Sequence, residues 1–119
     1  MMDYNTIINA DCLEAMAGLP EECIDLIITS PPYDNLRSYN GNIKQWNEKK
    51  WKDIIAELFR VTKVGGVVVW IVGDATINGS ETGTSFKQAL WAKDCGFNLH
   101  DTMIWNKGAF SAVGALSTR

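Results

Sequence analysis

The chain has 119 residues, 46% hydrophobic and 21% charged, the composition of one ordinary globular domain. The longest apolar run, six residues at 67–72, is far short of the ~18–20 of a membrane span, and the opening MMDYN is neither basic nor apolar; the expectation is a cytoplasmic chain, neither inserted in a membrane nor secreted. Eleven bases against fourteen acids give a net charge of −3, which for the molecule as a whole disfavours a nucleic-acid partner.

The charge is segregated, however. Residues 1–36 hold seven acids and no base, whereas 37–119 hold eleven bases and seven acids. In chain order, Thr6, Ile7 and Ile8 form a short β-branched run that predicts a strand. Asn9-Ala10-Asp11 then turns into a short helix carrying Leu13, Ala15, Met16 and Leu19, ended by Gly18-Leu19-Pro20. Residues 24–29 (IDLIIT) are a nearly continuous apolar strand, of the kind buried on both faces of a parallel sheet. Ser30-Pro31-Pro32 stops it, because prolines cannot donate to a ladder, and 30–46 reads as a loop. From Trp51, the residues Ile54, Ile55, Leu58, Phe59 and Thr62 trace a helical stripe closed by Gly65-Gly66. A second apolar strand follows at 67–72, then a polar loop at 76–82. Ser85-Phe86 opens another helix with Phe86, Ala89, Leu90 and Lys93 on one face, capped by Cys95-Gly96, and 99–106 (LHDTMIWN) reads as a third strand. Strand–helix units in succession imply a parallel, doubly wound α/β sheet with ligands beyond the carboxyl ends of its strands, where the loops 30–46 and 74–84 fall.

Cys12, Cys23 and Cys95 are odd in number and form no C-x-x-C pair, so they read as reduced packing thiols. His100 stands without a second histidine or an acidic cluster, which favours a structural role and no metal. Within 37–52, the bases Arg37, Lys44, Lys49, Lys50 and Lys52 face only Glu48 and are interleaved with Tyr39, Trp46 and Trp51. Such a stretch either tracks phosphates and stacks bases or is the solvated start of a helix.

The segment from Asp25 to Tyr33 is the most informative, since a buried strand delivers Ser30, Pro31, Pro32 and Tyr33 to the sheet's edge. The amino group of an aromatic base is a poor nucleophile, its lone pair delocalised into the ring, until acceptors bind its hydrogens and stabilise the ammonium that develops. The Ser30 hydroxyl and the Pro31 carbonyl are such acceptors, and Tyr33 can stack on a base taken out of its helix. The plainer alternative is a Pro-Pro turn that ends a strand.

The run from Asn9 to Glu14 (NADCLE) followed by IDLIITSPPY resembles the amino-methyltransferases of DNA, the N4-cytosine and N6-adenine family, whose S-P-P-Y or D-P-P-Y tetrapeptide is the catalytic loop. Similarity extends through the helix at Phe59, the GGVVVWIVGD strand, the NGSETGTSF loop and NLHDTMIW, in the order where the catalytic motif precedes the cofactor glycine motif. The resemblance implies a Rossmann-like three-layer α/β/α methyltransferase sheet, S-adenosylmethionine as cofactor and DNA as partner. It puts Asp11, with Ser30 and Pro31, at the cofactor site, and Ser30, Pro31, Pro32 and Tyr33 on the target base. It also implies direct attack of the amine on the sulfonium methyl, with no cysteine nucleophile. Serine at the first position is more typical of the cytosine N4 enzymes, so N4 of cytosine is favoured over N6 of adenine; a protein amide or RNA amine is disfavoured by the same residue.

The family's F-x-G-x-G cofactor loop has no match, since Gly65-Gly66, Gly73, Gly79 and Gly83 provide no G-x-G at a strand end. The expectation is one incomplete catalytic-half domain over 1–119 with an irregular tail at 108–119, its glycine loop supplied by a second chain or by dimerisation. The other reading is an inactive fragment that binds DNA or a partner through 37–52 and an open sheet edge.

Overall fold

A computed structural model of the chain describes residues 4–34 and 46–106. Its first element, α1 (Cys12–Ala17), starts where Asp11 accepts the Leu13 N–H on its side chain. β1 (Ile24–Thr29) follows, then α2 (Glu48–Val61) and β2 (Thr62–Trp70), and the two strands pair in parallel. β1, α2 and β2 thus form a crossover unit, the connection parallel strands require. The pairing Ile27↔Val68 to Thr29↔Trp70 continues past the strand end through the Ile71 N–H, which donates to the Thr29 carbonyl at 2.9 Å.

α2 forms because Asn47 caps it, accepting the Lys50 N–H at 2.8 Å, and because Trp51, Ile54, Ile55, Leu58 and Val61 recur at helical spacing and are all buried. It ends where the Thr62 hydroxyl donates to the Leu58 carbonyl at 2.6 Å and the backbone turns extended. Met16, Ile54, Leu58 and Val61 make the core, with Leu13, Leu19, Ile24, Ile27, Val68, Trp70 and Phe97 packed against it. Ile24 and Ile27 both reach this core, and the pairing slips between Ile24 and Leu26, where β2 advances from Thr62 to Val67 and so carries the extra residues.

Two short strands, β3 (Thr76–Ile77) and β4 (Ser80–Glu81), make a hairpin, and α3 (Thr84–Cys95) follows. The polar loop expected at 76–82 is therefore paired. Asn78 and Gly79 both have positive φ, 52° and 80°, as a two-residue hairpin turn with the twist of its strands demands. α3 packs on α2: the Trp91 indole donates to the Lys52 carbonyl at 3.0 Å, and the Lys52 ammonium lies 5.0 Å above the Trp91 ring.

Several expectations change. Residues 6–8 form no strand, and Ile7 and Ile8 are exposed, with no neighbouring strand beside them among the described residues. Residues 99–106 likewise form neither helix nor strand, and His100 is exposed there rather than held in a sheet. β1 is covered on one face only: Leu26 and Ile28 are 56% and 65% exposed, and Val67 of β2 is 54% exposed. The described helices thus give two layers, and the second helical layer of a three-layer arrangement is not seen among them. α3 turns its other side inward: Phe86 and Leu90 are exposed, while Gln88 is buried and accepts from the Trp70 indole at 3.0 Å. Phe59 lies at the margin of the core, its ring edge-on to Phe97 with centroids 5.2 Å apart. Cys12 is exposed rather than packed, and Cys23 and Cys95 are half-buried.

Candidate active site

β1 ends at Thr29, and the loop that leaves it folds back on itself. The Ser30 hydroxyl donates to the Tyr33 hydroxyl at 3.3 Å, Pro31 is buried, and Pro32 and Tyr33 are half-buried. Buried Pro31 holds the loop to the body of the protein and leaves exposed Ser30 at the rim. Asp34 anchors the far side, accepting the Thr82 hydroxyl at 2.8 Å, while the Thr82 N–H donates to the Ala75 carbonyl at 2.8 Å. Asp74, just beyond β2, accepts the Ser85 N–H at 2.8 Å and the Ser85 hydroxyl at 2.7 Å, and so caps α3, whose own cap residue Gly83 has no side chain. The two loops at the carboxyl ends of the parallel strands are tied into one rim.

Asp11 reaches the same end of the fold. Its Oδ1 accepts from the Lys50 ammonium at 2.9 Å, so the N-terminal ends of α1 and α2 lie together. At their other ends the Arg60 guanidinium donates to the Met16 carbonyl at 2.7 Å and the Leu19 carbonyl at 2.9 Å, and pairs with Glu57 at 2.8 Å. The hydrogen bond from Lys50 holds the Asp11 carboxyl below the usual carboxylate range, partial burial opposing it, and the same bond raises the Lys50 ammonium. Asp11 is thus a fixed anion over the whole physiological range.

Of the residues expected to meet nucleic acid, Arg37, Tyr39 and Lys44 lie outside the described residues. Lys49 pairs with Asp53 at 2.7 Å, Lys50 with Asp11, and Lys52 with Glu48 at 3.6 Å. The described part of the basic stretch is therefore a helix face whose lysines are already matched by carboxylates. An open cleft of about 200 Å³ lies beside this face, lined by Asp34, Trp46, Asn47, Glu48, Trp51, Thr84 and Lys87. Sequence reasoning passed over Asp34, Asn47, Thr84 and Lys87; the position of Asp34 directly after the S-P-P-Y run was the available signal. Among the described residues no group of three or more histidine, cysteine or acidic side chains is placed to hold a metal, and no helix is long and apolar enough to cross a membrane.

Comparison with known proteins agrees with this geometry. A family model described as DNA methylase, of the N6/N4 type, matches residues 24–117. The chain belongs to this DNA methylase family. It is 60% identical over 88 residues to the orphan methyltransferase M.BamHII of Bacillus amyloliquefaciens, covering 74% of this chain and 31% of that protein. It is 38% identical over 68 residues to the DNA adenine methyltransferase YhdJ of Escherichia coli (strain K12), covering 54% of this chain and 23% of that one. A crystal structure from Thermus thermophilus, assigned as a DNA modification methylase, superimposes with a TM-score of 0.63 at 27% identity, over 83% of this chain and 46% of that one. The methylase chain thus spans about a third or less of the curated relatives named here, and shares the α/β arrangement of the solved methylase. S-adenosylmethionine is the methyl donor of this family.

Proposed function

We propose that the chain is the catalytic half of a DNA methyltransferase, one domain over 1–119, acting on the exocyclic amine of a base taken out of the duplex, with N4 of cytosine as the target. The observation that carries the reading is the Ser30–Tyr33 loop at the carboxyl end of β1, with its hydroxyls in contact and Asp34 beyond it tied to Thr82, just after the hairpin. Ser30 Oγ and the Pro31 carbonyl accept the hydrogens of the amine, drawing its lone pair out of the ring, and Tyr33 supplies a ring to stack on. The proton shed by the amine passes to water at the exposed rim. Ser30 in the first position favours cytosine; the adenine activity in the name of the E. coli relative favours N6 of adenine as the second reading.

The chemistry of the donor set fits one part of S-adenosylmethionine. At physiological pH Asp11 is a carboxylate with two of its roughly four acceptor sites engaged, which leaves capacity for hydroxyl or amino hydrogens of the cofactor, and Ser30 and Pro31 face the same end of the sheet. When bound, the cofactor supplies an electrophilic methyl group on a sulfonium. No G-x-G run is present in this sequence to approach its methionine end, so that loop comes from a polypeptide segment of different sequence, and that segment or a second copy of the chain covers the exposed face of β1 and β2. DNA is the partner and the cytoplasm the place of action.

Calorimetric titration with S-adenosylmethionine comes first, followed by transfer of labelled methyl to DNA and separation of N4-methylcytosine from N6-methyladenine. Ser30→Ala and Tyr33→Ala are each expected to lower transfer about 10-fold or more, the scale of a lost transition-state hydrogen bond. Unchanged transfer in both would overturn the catalytic assignment, and N6-methyladenine as the product would replace cytosine by adenine.

A further inference from the structure

The hydrogen bond from the Thr82 hydroxyl to Asp34 joins segments 48 residues apart, and it is stronger than the contact inside the Ser30–Tyr33 loop. At 2.8 Å it sets a hydroxyl on a carboxylate, the charge-assisted kind. The Ser30 and Tyr33 hydroxyls, 3.3 Å apart, lie beyond the usual upper limit of about 3.0 Å for such a pair, too far to fix the tyrosine ring by themselves. Thr82 is itself held before it donates. Its N–H reaches the carbonyl of buried Ala75 at 2.8 Å, which extends the hairpin by one pair beyond Thr76↔Glu81. Three residues on, Asp74 accepts both the N–H and the hydroxyl of Ser85. A β-branched side chain on so fixed a backbone has few rotamers, so its hydroxyl is a rigid donor. On the other side, buried Pro31 and the fixed φ of Pro32 hold the first half of the loop. Tyr33 therefore stands between two anchors, and Thr82 makes the second.

We propose that Thr82 is a positioning residue, which through Asp34 sets the place of the Tyr33 ring in the loop at the carboxyl end of β1. Without the hydroxyl, Asp34 is released and Tyr33 swings away from Ser30. A displacement of about 1 Å in a group that orients a substrate costs up to about 100-fold in rate, so a residue remote from the reacting atoms governs the step. The role in catalysis rests on the methyl-transfer reading, whereas the placement of the loop does not. In the sequence Thr82 belongs to a polar stretch with nothing to single it out.

Fluorine NMR of the full chain labelled with fluorotyrosine reads the Tyr33 ring directly, its resonance assigned by its loss in Tyr33→Phe. In Thr82→Val, which keeps the shape and removes the hydroxyl, that resonance is expected to move most of the way to its value in the urea-unfolded chain. Thr82→Ser keeps the hydroxyl and should leave it in place. Asp34→Ala should shift it as far as Thr82→Val does, and the double variant no further, because both act through one bond. Far-UV circular dichroism checks the fold, and Asp34→Ala decides the point if Thr82→Val does not fold. An unmoved resonance, a shift as large in Thr82→Ser, or shifts that add in the double variant would each overturn the proposal. In methyl transfer, kcat is expected to fall about 10-fold or more in Thr82→Val and to recover in Thr82→Ser. The KM for S-adenosylmethionine should stay, since Asp11 is held by the Leu13 N–H and Lys50 rather than by Thr82. A raised KM with unchanged kcat would overturn the proposal as well. Unchanged transfer in Ser30→Ala and Tyr33→Ala would instead remove the catalytic reading, and the resonance would still decide whether Thr82 holds the loop.

Discussion

Asp11 joins two helices through one carboxylate, since Oδ2 accepts the Leu13 N–H at 3.0 Å and Oδ1 the Lys50 ammonium. Its folded-state pKa lies below the ordinary value, so the stability it contributes is fully present above about pH 4, the unfolded carboxyl's pKa, and is lost as pH falls through the depressed folded value. Lys50 works in the opposite sense: its pKa is raised, so its contribution is complete below about pH 10.4 and is lost as pH rises through the folded value. Lys50→Met should therefore flatten the loss of stability in acid, measured by urea unfolding from neutral pH downwards. At neutral pH the cost should stay within about 1 kcal/mol, because both side chains are partly in water. An acid limb identical in slope to that of the unaltered protein would show that the pair is not formed in solution. The pairing was invisible in the sequence, where Asp11 reads as a cofactor ligand and Lys50 as a phosphate contact, because 39 residues separate them and only the packing of α1 beside α2 brings them together. Ser30 to Tyr33, by contrast, were legible as a unit, since their contact is local and proline fixes their geometry.

At the scale of elements, the helices and strands with strong one-dimensional signals were readable and their inward faces less so. The α2 stripe is legible at Trp51, Ile54, Ile55 and Leu58, which are buried, but Val61 takes the inward place expected of Phe59, and the helix stops at Val61 rather than at Gly65-Gly66, which lie within β2. α3 misleads because its most apolar residues, Phe86 and Leu90, face outward, while Gln88, 3% exposed, is held inside by the Trp70 indole. Gln88→Leu should cost about 1–3 kcal/mol in urea unfolding, since it leaves that indole N–H without an acceptor, whereas Leu90→Gln should change stability by less than about 0.5 kcal/mol. The reverse order of effects would mean that α3 is rotated from the orientation described. The end of α3 supplies a second check. Gly96 has φ 124°, and a Cβ there would sit 2.5 Å from Phe59 Cζ. Gly96→Ala forces the Phe59 ring away from Phe97 as well as straining the backbone, and should lower stability by about 1–3 kcal/mol or more in the same assay. The strands expected at 6–8 and 99–106 illustrate the remaining limit, because strand propensity becomes a strand only where a partner edge is at hand.

At the scale of the molecule, the sheet of β1 and β2 has helices on one face and, among the described residues, none on the other. Leu26, Ile28 and Val67 are each more than half exposed on two adjacent strands, a contiguous apolar surface of the kind that soluble chains do not leave uncovered. The apolar run at 24–29 predicts a strand buried on both faces, and the structure corrects this: β1 is covered on one face, and no described residues form a layer on the other. A chain prepared by itself should therefore associate, and its average mass in sedimentation velocity should rise with concentration. Leu26→Lys together with Ile28→Lys should suppress the association without unfolding the protein, because neither side chain touches the core built on Met16, Ile54, Leu58 and Val61. Cofactor binding separates two ways of covering the face. If a second copy covers the face and makes cofactor contacts in place of the glycine loop, the double variant loses affinity for S-adenosylmethionine together with its mass. If a glycine-loop segment of different sequence covers it, the monomeric variant binds no worse than the unaltered chain, and adding that segment raises affinity only where Leu26 and Ile28 are intact. Association that persists unchanged in the double variant would place the contact elsewhere on the molecule, and the exposed Phe86 and Leu90 of α3 would be the next surface to charge.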